Sequence, residues 1–315
     1  MVKINAGEVF NVSVDACFFI IQFSPDKRLL DKCNISDIND MNTVFSCFGF
    51  VDGKYYSDIN KQTSIDGSCC FNWRQGVKHD CSKIMELTKK NNGLYNGYDV
   101  KVDIEDRYLY PLLKSSSLKS FIINQSNKKV IVTQKKIGEN TDHIKYFPKT
   151  WKYLENYRAN FDARKSSIYK NSPPYSMFGV GDYSYSKYKV AVSGFYKTPL
   201  FSLVYNEKPV MLDDTCYFIS FSSYDNAYVA MLILNSDIVQ NFLKSISFAD
   251  SKRPYTKKNL QRIDFKSLVK MLSFDDLFIV ENKLNLCKFL TKEMLLAFTN
   301  LIDSAHQNMK KVIVA

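Results

Sequence analysis

The chain has 315 residues, with 43 Lys and Arg against 32 Asp and Glu, which gives a formal net charge of +11. A hydrophobic content of 45% and a charged content of 24% are typical of a folded soluble protein and exclude a disordered chain. The most apolar stretch, Ala16–Phe23, is far shorter than the roughly 20 residues that a membrane-spanning helix requires. No apolar run follows Met1, so we expect no signal peptide, no membrane partner and a cytoplasmic protein.

The first segment is predicted to be β-structure. Val14–Phe23 has the composition of a buried strand, and Thr43–Val51 meets an Asp-Gly pair before it continues as Lys54–Ser57. Asp-Gly between two β-prone arms is typical of a tight hairpin turn. A polar joint at Thr63–Ser68 follows. We therefore expect a domain boundary at this joint.

The rest of the chain predicts a mixture of strands and helices. Apolar residues three or four apart indicate helices at Pro148–Arg164, at Ala227–Ile246 and from about Lys292 onwards. Asn171–Asp182, with two Pro and two Gly, is predicted to be a loop. Tyr108–Leu113 is a short apolar element, and three further short apolar runs are predicted to be strands: Val130–Thr133, Tyr188–Ser193 and Asp214–Phe221. These elements predict a mixed α/β (α+β) fold with helices at the C-terminal end.

The positive charge is concentrated in the middle of the chain. Residues 1–70 carry 6 basic and 9 acidic side chains, whereas residues 107–200 carry 17 basic and only 5 acidic ones. Residues 107–200, which we call the basic belt, also contain 11 of the 20 Tyr. Lys and Arg neutralise phosphates, and Tyr can donate to phosphates or stack on bases. The belt therefore indicates nucleic-acid binding, although a well-solvated basic face would have the same composition.

The eight cysteines do not form a recognisable disulfide or metal-binding pattern. They are scattered, and no Cys-x-x-Cys pair occurs. We expect unpaired thiols in a reducing compartment. A metal site that uses the adjacent Cys69 and Cys70 with His79 and Cys81 is the alternative.

Two strings in the chain match catalytic motifs of amino-group methyltransferases. Ser172-Pro173-Pro174-Tyr175 spells the catalytic tetrapeptide, in which the aromatic residue stacks on a flipped base. Phe178-Gly179-Val180-Gly181 spells a glycine-rich cofactor loop. In an enzyme the two motifs follow different buried strands, whereas here they are two residues apart and no helix follows the second. We therefore interpret them as a structured binding loop.

Carboxylate patterns suggest two further metal sites. Pro25-Asp26 with Asp52-x-Lys54 loosely fits a magnesium nuclease, but Asp52 falls in the predicted hairpin turn. Asp213-Asp214 resembles a paired-carboxylate site, yet neighbouring residues on a strand point to opposite faces. A structural turn before the following strand is the better interpretation. The cluster Lys252–Lys258 is either a phosphate contact or a solvated loop.

Several strings in order resemble the target-recognition region of one branch of adenine-N6 DNA methyltransferases. These enzymes belong to type II restriction-modification systems and carry Taq-type specificity domains at their C-terminal ends. The first segment, at Asn11–Phe18 and Val51–Gly53, is similar to the last strands of their catalytic domain. The recognition landmarks follow in order over about 200 residues: Trp73–Cys81, Tyr110–Ser116, Tyr153–Leu154, Arg164–Tyr169, Phe178–Tyr183, Tyr188–Gly194, Asp213–Tyr217, Leu234–Ser236 and Lys252–Pro254.

The resemblance implies that the chain is the C-terminal part of such an enzyme. Residues 1–68 would be the β-hairpin edge of a Rossmann-like methyltransferase sheet and would dock on its catalytic domain or subunit. Residues 69–315 would be a mixed α/β DNA target-recognition domain. The resemblance further implies that S-adenosylmethionine binds in the missing catalytic part. We expect no cofactor, metal or catalytic residue in this chain.

The resemblance also implies that double-stranded DNA is a partner. Phosphate contacts are expected from Lys and Arg, groove or stacking contacts from Tyr, and an interface or base-edge role from His79. The candidate DNA-binding residues are Lys78, His79, Arg164, Lys165, Tyr169, Lys170, Tyr183, Lys187, Tyr188, Lys189, Lys252 and Arg253. The alternatives are a fragment of a magnesium-dependent restriction nuclease and a non-enzymatic DNA- or protein-interaction domain.

Overall fold

A computed structural model describes residues 1–12, 16–21, 31–61, 64–248 and 251–314, the last seven for their backbone alone. The fold is mixed α/β, as the sequence predicted. The described part contains three sheets and ten α-helices. The strands are β1 (Val2–Ile4), β2 (Ala16–Phe18), β3 (Lys32–Asp37), β4 (Asp40–Val51), β5 (Lys54–Tyr56), β6 (Arg74–Gln75), β7 (Glu86–Lys90), β8 (Gly93–Tyr95), β9 (Lys101–Val102), β10 (Leu109–Leu113), β11 (Ile122–Ile123), β12 (Lys128–Ile131), β13 (Tyr188–Ser193), β14 (Phe201–Tyr205), β15 (Met211–Leu212) and β16 (Cys216–Phe221). The helices are α1 (Ala6–Phe10), α2 (Ser82–Met85), α3 (Pro148–Asn156), α4 (Arg158–Asp162), α5 (Tyr224–Leu234), α6 (Asp237–Ile246), α7 (Lys257–Leu260), α8 (Phe265–Met271), α9 (Phe274–Lys283) and α10 (Lys292–Val314).

The first sheet, which we call the N-terminal sheet, has the strand order β2-β1-β3-β4-β5. The predicted hairpin joins β4 and β5, since Val51 pairs with Lys54 across the turn. Asp52 (φ 50°) and Gly53 (φ 73°) both have the positive φ that such a turn requires. The strand predicted at Val14–Phe23 is shorter, at Ala16–Phe18, and its residues 14, 15, 22 and 23 lie outside the described part.

Two further sheets form the body of the molecule. The outer sheet has the order β15-β10-β12-β7-β8-β9, and α3 and α4 pack on it through Leu154 and Phe161. The central sheet has the order β11-β14-β13-β16-β6, so β6 is an edge strand. The predicted strand at Tyr188–Ser193 is confirmed as β13, in the middle of this sheet.

The helices α5 to α10 form a layer that packs on one face of the central sheet. Helix α5 is apolar on all sides and its residues from Ala227 to Leu234 are buried. The single helix predicted at Ala227–Ile246 is wrong, because the chain breaks between α5 and α6. The Asn235 amide donates to the carbonyl oxygen of Phe201 (2.8 Å) and accepts from its N–H (3.1 Å). These bonds tie the break to β14.

The other two helices predicted from apolar periodicity are partly confirmed. The helix predicted at Pro148–Arg164 is also divided into two, α3 and α4, at Tyr157. The C-terminal helix predicted from about Lys292 is confirmed as α10. Within the described residues, no helix is both long enough and apolar enough to cross a membrane.

The end of the N-terminal sheet is anchored on the body. The Ser57 hydroxyl donates to the carbonyl oxygens of Ser245 and Ser247, each at 2.9 Å, at the end of α6. Arg262 donates to both carboxylate oxygens of the buried Asp66, at 3.1 and 2.7 Å. A bidentate charged pair of this kind adds strength and fixes geometry. These bonds anchor Ser57 and Asp66 on the body.

Candidate nucleic-acid interface

The loop of residues 76–80 leaves the edge strand β6 and is fixed between two other segments. The Val77 N–H donates to the carbonyl oxygen of Leu212 (2.7 Å), and Lys78 exchanges two backbone hydrogen bonds with Phe178 (2.8 and 2.9 Å). A Cβ atom at Gly76 would lie 2.1 Å from the Asp213 carbonyl oxygen. Only glycine permits this approach, so the sequence Gly76-Val77-Lys78 presents Lys78 at the surface beside β15.

Four predicted residues meet around this loop, and we call them the basic cluster: Lys78, Arg164, Tyr169 and Arg253. The Arg164 guanidinium lies 3.7 Å from the ring centroid of Tyr169. Its Nη1 donates to the carbonyl oxygens of His79 (3.3 Å) and Ser176 (2.6 Å). These contacts hold a cation and an aromatic ring together at the loop.

The other two cations of the basic cluster, Lys78 and Arg253, each lie beside a carboxylate. The Lys78 ammonium lies 3.6 Å from the Asp80 carboxylate. Arg253 lies 4.0 Å from the Asp214 carboxylate, and its Nη1 donates to the Asp214 carbonyl oxygen (3.1 Å). Burial, followed by the charge of Asp213, raises the pKa of Asp214, and the charges of Arg253 and Lys78 oppose this rise. The structure thus brings together residues that are up to 175 positions apart in the chain.

Other candidates border the basic cluster. Lys165, Lys170 and Lys252 are exposed and follow or precede its members directly in the chain. At the same edge of the central sheet, the Arg74 guanidinium lies 4.6 Å from the ring centroid of Tyr183. These side chains extend the positive surface.

Two predicted residues lie elsewhere. Tyr188 packs on the rings of Tyr205 and Tyr224 at centroid distances of 6.3 and 6.0 Å, towards the helical layer. Lys187 is exposed next to it, with its ammonium 5.5 Å from the Tyr188 ring centroid. Neither residue joins the basic cluster.

Two predicted contacts are wrong because their side chains are buried. Lys189 is 1% exposed, and its ammonium donates to the Ser186 carbonyl oxygen. Burial lowers the pKa of Lys189 to about 7, and no phosphate can reach it in this conformation. His79 is 5% exposed, and its Nδ1 accepts from the N–H of Cys81 (3.2 Å). It cannot reach a base edge.

A buried charge network beneath the loop was not foreseen from the sequence. The Lys114 ammonium donates to both oxygens of Glu86 (2.9 and 3.0 Å) and lies 3.7 Å from Asp213. Burial alone would lower the pKa of Lys114, but its bonds to Glu86 outweigh burial and raise it. Because the network joins three distant segments, no spacing in the sequence signals it.

Burial and the charge network together set the protonation state of His79. Its Nε2 lies 3.7 Å from Glu86, but that carboxylate is already bonded to Lys114. Burial, followed by the charge of Lys114, lowers the pKa of His79 to about 4. His79 is therefore neutral at pH 7.

The interpretation of Asp213-Asp214 as a turn is confirmed. The buried Asp213 accepts from the N–H of Thr215 (3.1 Å) and from its hydroxyl, which closes the turn between β15 and β16. Asp214 is half-buried, with its carboxylate 4.0 Å from Arg253. The two carboxylates do not converge on a metal.

The strings that resemble methyltransferase motifs have structural roles. Tyr175 is fully buried, donates to Glu155 and packs on the ring of Phe161 at a centroid distance of 5.0 Å. A Cβ at Gly179 (φ 69°) would lie 2.2 Å from the Gly76 carbonyl oxygen. A Cβ at Gly181 would lie 2.6 Å from the ring of Tyr183. The glycines therefore make room for neighbouring protein atoms, and a cofactor does not fit there.

The alternative metal sites gain no support. Asp52 lies exposed in the hairpin turn, Lys54 is paired with Asp66 (3.4 Å), and Pro25-Asp26 lies outside the described residues. All eight cysteines are free thiols, as expected. Among the residues that the structure covers, no group of three or more His, Cys, Asp or Glu could hold a metal ion.

The chain is similar to a known protein in sequence. No family model matches the chain. Among solved structures, the type IIL restriction-modification enzyme MmeI in complex with DNA aligns with a TM-score of 0.45 and 10% identity, over 88% of this chain and 38% of that chain. The type IIG restriction endonuclease BpuSI aligns with a TM-score of 0.38 and 14% identity, over 75% of this chain and 30% of that chain. In sequence, the chain is 39% identical over 280 residues to the type II methyltransferase M.NspV of Nostoc sp. (strain ATCC 29411 / PCC 7524), a match that covers 86% of this chain and 57% of that relative.

Proposed function

We propose that this chain is the DNA sequence-recognition part of an adenine-N6 DNA methyltransferase in a type II restriction-modification system, with a Taq-type specificity domain. Residues 1–68 are the edge of the catalytic sheet, and residues 69–315 are the target-recognition domain. The 39% identity with a type II methyltransferase supports the class of enzyme. Methyl transfer belongs to the catalytic part, and this chain acts in the cytoplasm on double-stranded DNA.

The convergence of the basic cluster carries this proposal. Lys78, Arg164 and Arg253 come from three separate segments and meet at one surface, with exposed lysines beside them. Tyr169 adds an aromatic ring held by Arg164. Cations with an interleaved aromatic ring suit a phosphate backbone and its bases. A merely solvated basic face would not need such fixed contacts.

The N-terminal sheet supports the assignment of a protein partner. Of the 22 large apolar side chains that are exposed in the described part, 12 lie within residues 9–50. Beside this sheet, a cleft of about 590 Å³ is lined by Phe45, Phe48 and Phe248. Large exposed apolar surfaces mark protein interfaces. We assign this surface to the catalytic part of the methyltransferase, since the relative extends well beyond the region that it shares with this chain.

S-adenosylmethionine would supply the methyl group from the catalytic part. The glycine string of this chain, Phe178–Gly181, does not fit the cofactor, because Gly76 and Tyr183 fill the space next to its glycines. The role of the present residues is to bind DNA and to position its target adenine relative to the partner.

Binding of the full chain to a fluorescent duplex, measured over a series of salt concentrations, tests the proposal. The affinity should fall steeply with salt. The double variant Lys165→Ala/Lys170→Ala should reduce the slope of log K against log salt by about 2, since each lysine neutralises one phosphate. The matched control is Lys288→Ala/Lys292→Ala, which removes the same charge from exposed positions on the helical layer. The control should retain the original slope.

Two results would contradict the proposal. One is the absence of duplex binding at low salt, both for the chain alone and together with a methyltransferase catalytic part. The other is an equal loss of slope for the two lysine pairs, which would mean that net charge rather than this surface binds DNA.

A further inference from the structure

Three polar side chains meet at the exposed edge of the central sheet. Gln75 lies on β6, Asp214 in the turn before β16, and Arg253 in the segment between α6 and α7. The Gln75 Nε2 donates to the Asp214 carbonyl oxygen (2.6 Å), and the Arg253 Nη1 donates to the same oxygen (3.1 Å). We call Gln75, Asp214 and Arg253 the polar triplet. One backbone oxygen thus fixes two side chains from distant segments.

These bonds leave much of the hydrogen-bonding capacity of the triplet unused. A glutamine amide has two N–H groups and one carbonyl, and a guanidinium has five N–H groups. Each side chain gives one N–H to the Asp214 carbonyl. Gln75 is exposed, and the side chains of Arg253 and Asp214 are 31% and 34% exposed. The Arg253 guanidinium also lies 4.9 Å from the ring centroid of Phe195, which holds its plane. The triplet is therefore held in place yet open to a ligand.

The Asp214 carboxylate distinguishes this site from a phosphate contact. It stands within the basic cluster, but its distance to Arg253 is 4.0 Å, too long for a direct hydrogen bond. A carboxylate repels phosphate, so it would weaken a surface that only neutralised the backbone. It is, however, the acceptor that pairs with the N4 amino group of cytosine in the major groove. An acid beside an Arg therefore indicates base recognition.

We propose that the polar triplet reads base edges in the major groove, and that Asp214 and Arg253 select a G·C base pair. This inference rests on the proposed function. The Arg253 guanidinium donates to O6 and N7 of guanine, and Asp214 accepts from N4 of cytosine. Gln75 has both the donor and the acceptor that adenine N6 and N7 require, so it reads a neighbouring position. Lys165 and Lys170 hold the backbone and carry no sequence information.

Selection of bound sequences from a random duplex library by the full chain tests this inference. The wild-type chain should enrich sites with one fixed G·C pair. Asp214→Asn should reduce the preference for that pair by about 5- to 150-fold and leave the other positions unchanged. This variant keeps the backbone carbonyl to which Gln75 and Arg253 bond, so it preserves the scaffold. Arg253→Lys keeps the charge but loses the bidentate fork, and should relax the same position. Lys165→Ala, the control, should weaken all sequences equally.

The outcomes separate this inference from the proposed function. If the wild-type chain binds duplex DNA but enriches no base, or if Asp214→Asn and Arg253→Lys keep the wild-type preference, the triplet does not read bases and the DNA-binding proposal stands. If the wild-type chain binds no duplex at low salt, both proposals fail. The inference is supported if each of the two variants changes the base preference at one position only and melts at the wild-type temperature.

Discussion

The N-terminal sheet and the central sheet have similar apolar strands but bury them differently. The first six residues of β4 are exposed, including Val44 and Phe45 at 49% and 53%. In the central sheet, β13 has five buried residues out of six. The difference follows from their neighbours: the helices α5 to α10 cover the central sheet, whereas no described element covers the outer part of β4.

The two regions also differ in their polar groups. In the body, the charges of Glu86, Lys114 and Asp213 satisfy one another beneath the loop of residues 76–80. The N-terminal sheet has no comparable buried charge network among its described residues. The body thus has the packing of a finished core, whereas the described part of the N-terminal sheet leaves large apolar side chains exposed, as the proposed protein interface requires.

The largest expected effect comes from a Phe→Ala substitution, which can be made in both regions and compared. Phe201→Ala in β14 removes a fully buried ring and should lower the free energy of unfolding by about 3–5 kcal/mol. Phe45→Ala in β4 removes a ring that is 53% exposed and should cost less than about 1 kcal/mol. Urea unfolding measures both. Equal costs would mean that the N-terminal sheet is packed like the body.

The second test is the pH dependence that His79 confers on the body. Its pKa is about 4 when folded and about 6.5 when exposed in the unfolded chain. As the pH falls, the unfolded state binds the proton first, so stability is lost between about pH 6.5 and pH 4. The loss should be on the order of 3 kcal/mol. His79→Gln cannot titrate and should lack this part of the pH dependence. Parallel stability curves of the two proteins would contradict the burial of His79.

The third test concerns the buried network. Lys114→Met leaves Glu86 and Asp213 without their cation and should cost about 2 kcal/mol, less than a fully buried pair because the Lys114 side chain is 30% exposed. The matched control is Lys129→Met, whose partner Asp106 is 78% exposed. The control should cost less than about 1 kcal/mol. Similar values in urea unfolding would mean that the network adds nothing to the body.

The smallest expected effect is that of a Gly→Ala substitution in a turn, and its cost should be the same in both regions. Gly53 in the β4–β5 turn and Gly138 in the body have φ values of 73° and 79°, and no atom lies near a Cβ built on either. Each Gly→Ala substitution should cost about 1 kcal/mol, because the penalty comes from the backbone conformation alone. Thermal unfolding of the two variants checks this. A larger cost at Gly138 would mean that packing also contributes there.

Local patterns predicted many elements well. The Asp-Gly hairpin and the strand Tyr188–Ser193 lie where the sequence indicated, since turn chemistry and β-propensity act within a few residues. The helix predicted through Asn235 breaks because that side chain bonds to Phe201, 34 positions away. Periodicity contains no information about such a distant partner.

Predictions of the site failed where burial decided the outcome. Lys189 alternates with inward-facing apolar residues on β13, and both faces of this sheet are covered, so its charge lies inside. His79 lies under the loop that carries Lys78. Gln75 and Asp214 were not among the candidate DNA-binding residues, and Asp214 was considered only as half of a carboxylate pair. Their association appears only when the turn and the edge strand meet.

The sequence by itself determined the class of fold, the concentration of positive charge in residues 107–200 and the turns that divide the strands. These properties depend on composition and on neighbours in the chain. Only the tertiary structure decided which cations reach the surface and which polar groups meet. Burial and hydrogen bonding between distant segments arise when sheets and helices pack, and the polar triplet exists only because three such segments converge on one carbonyl oxygen.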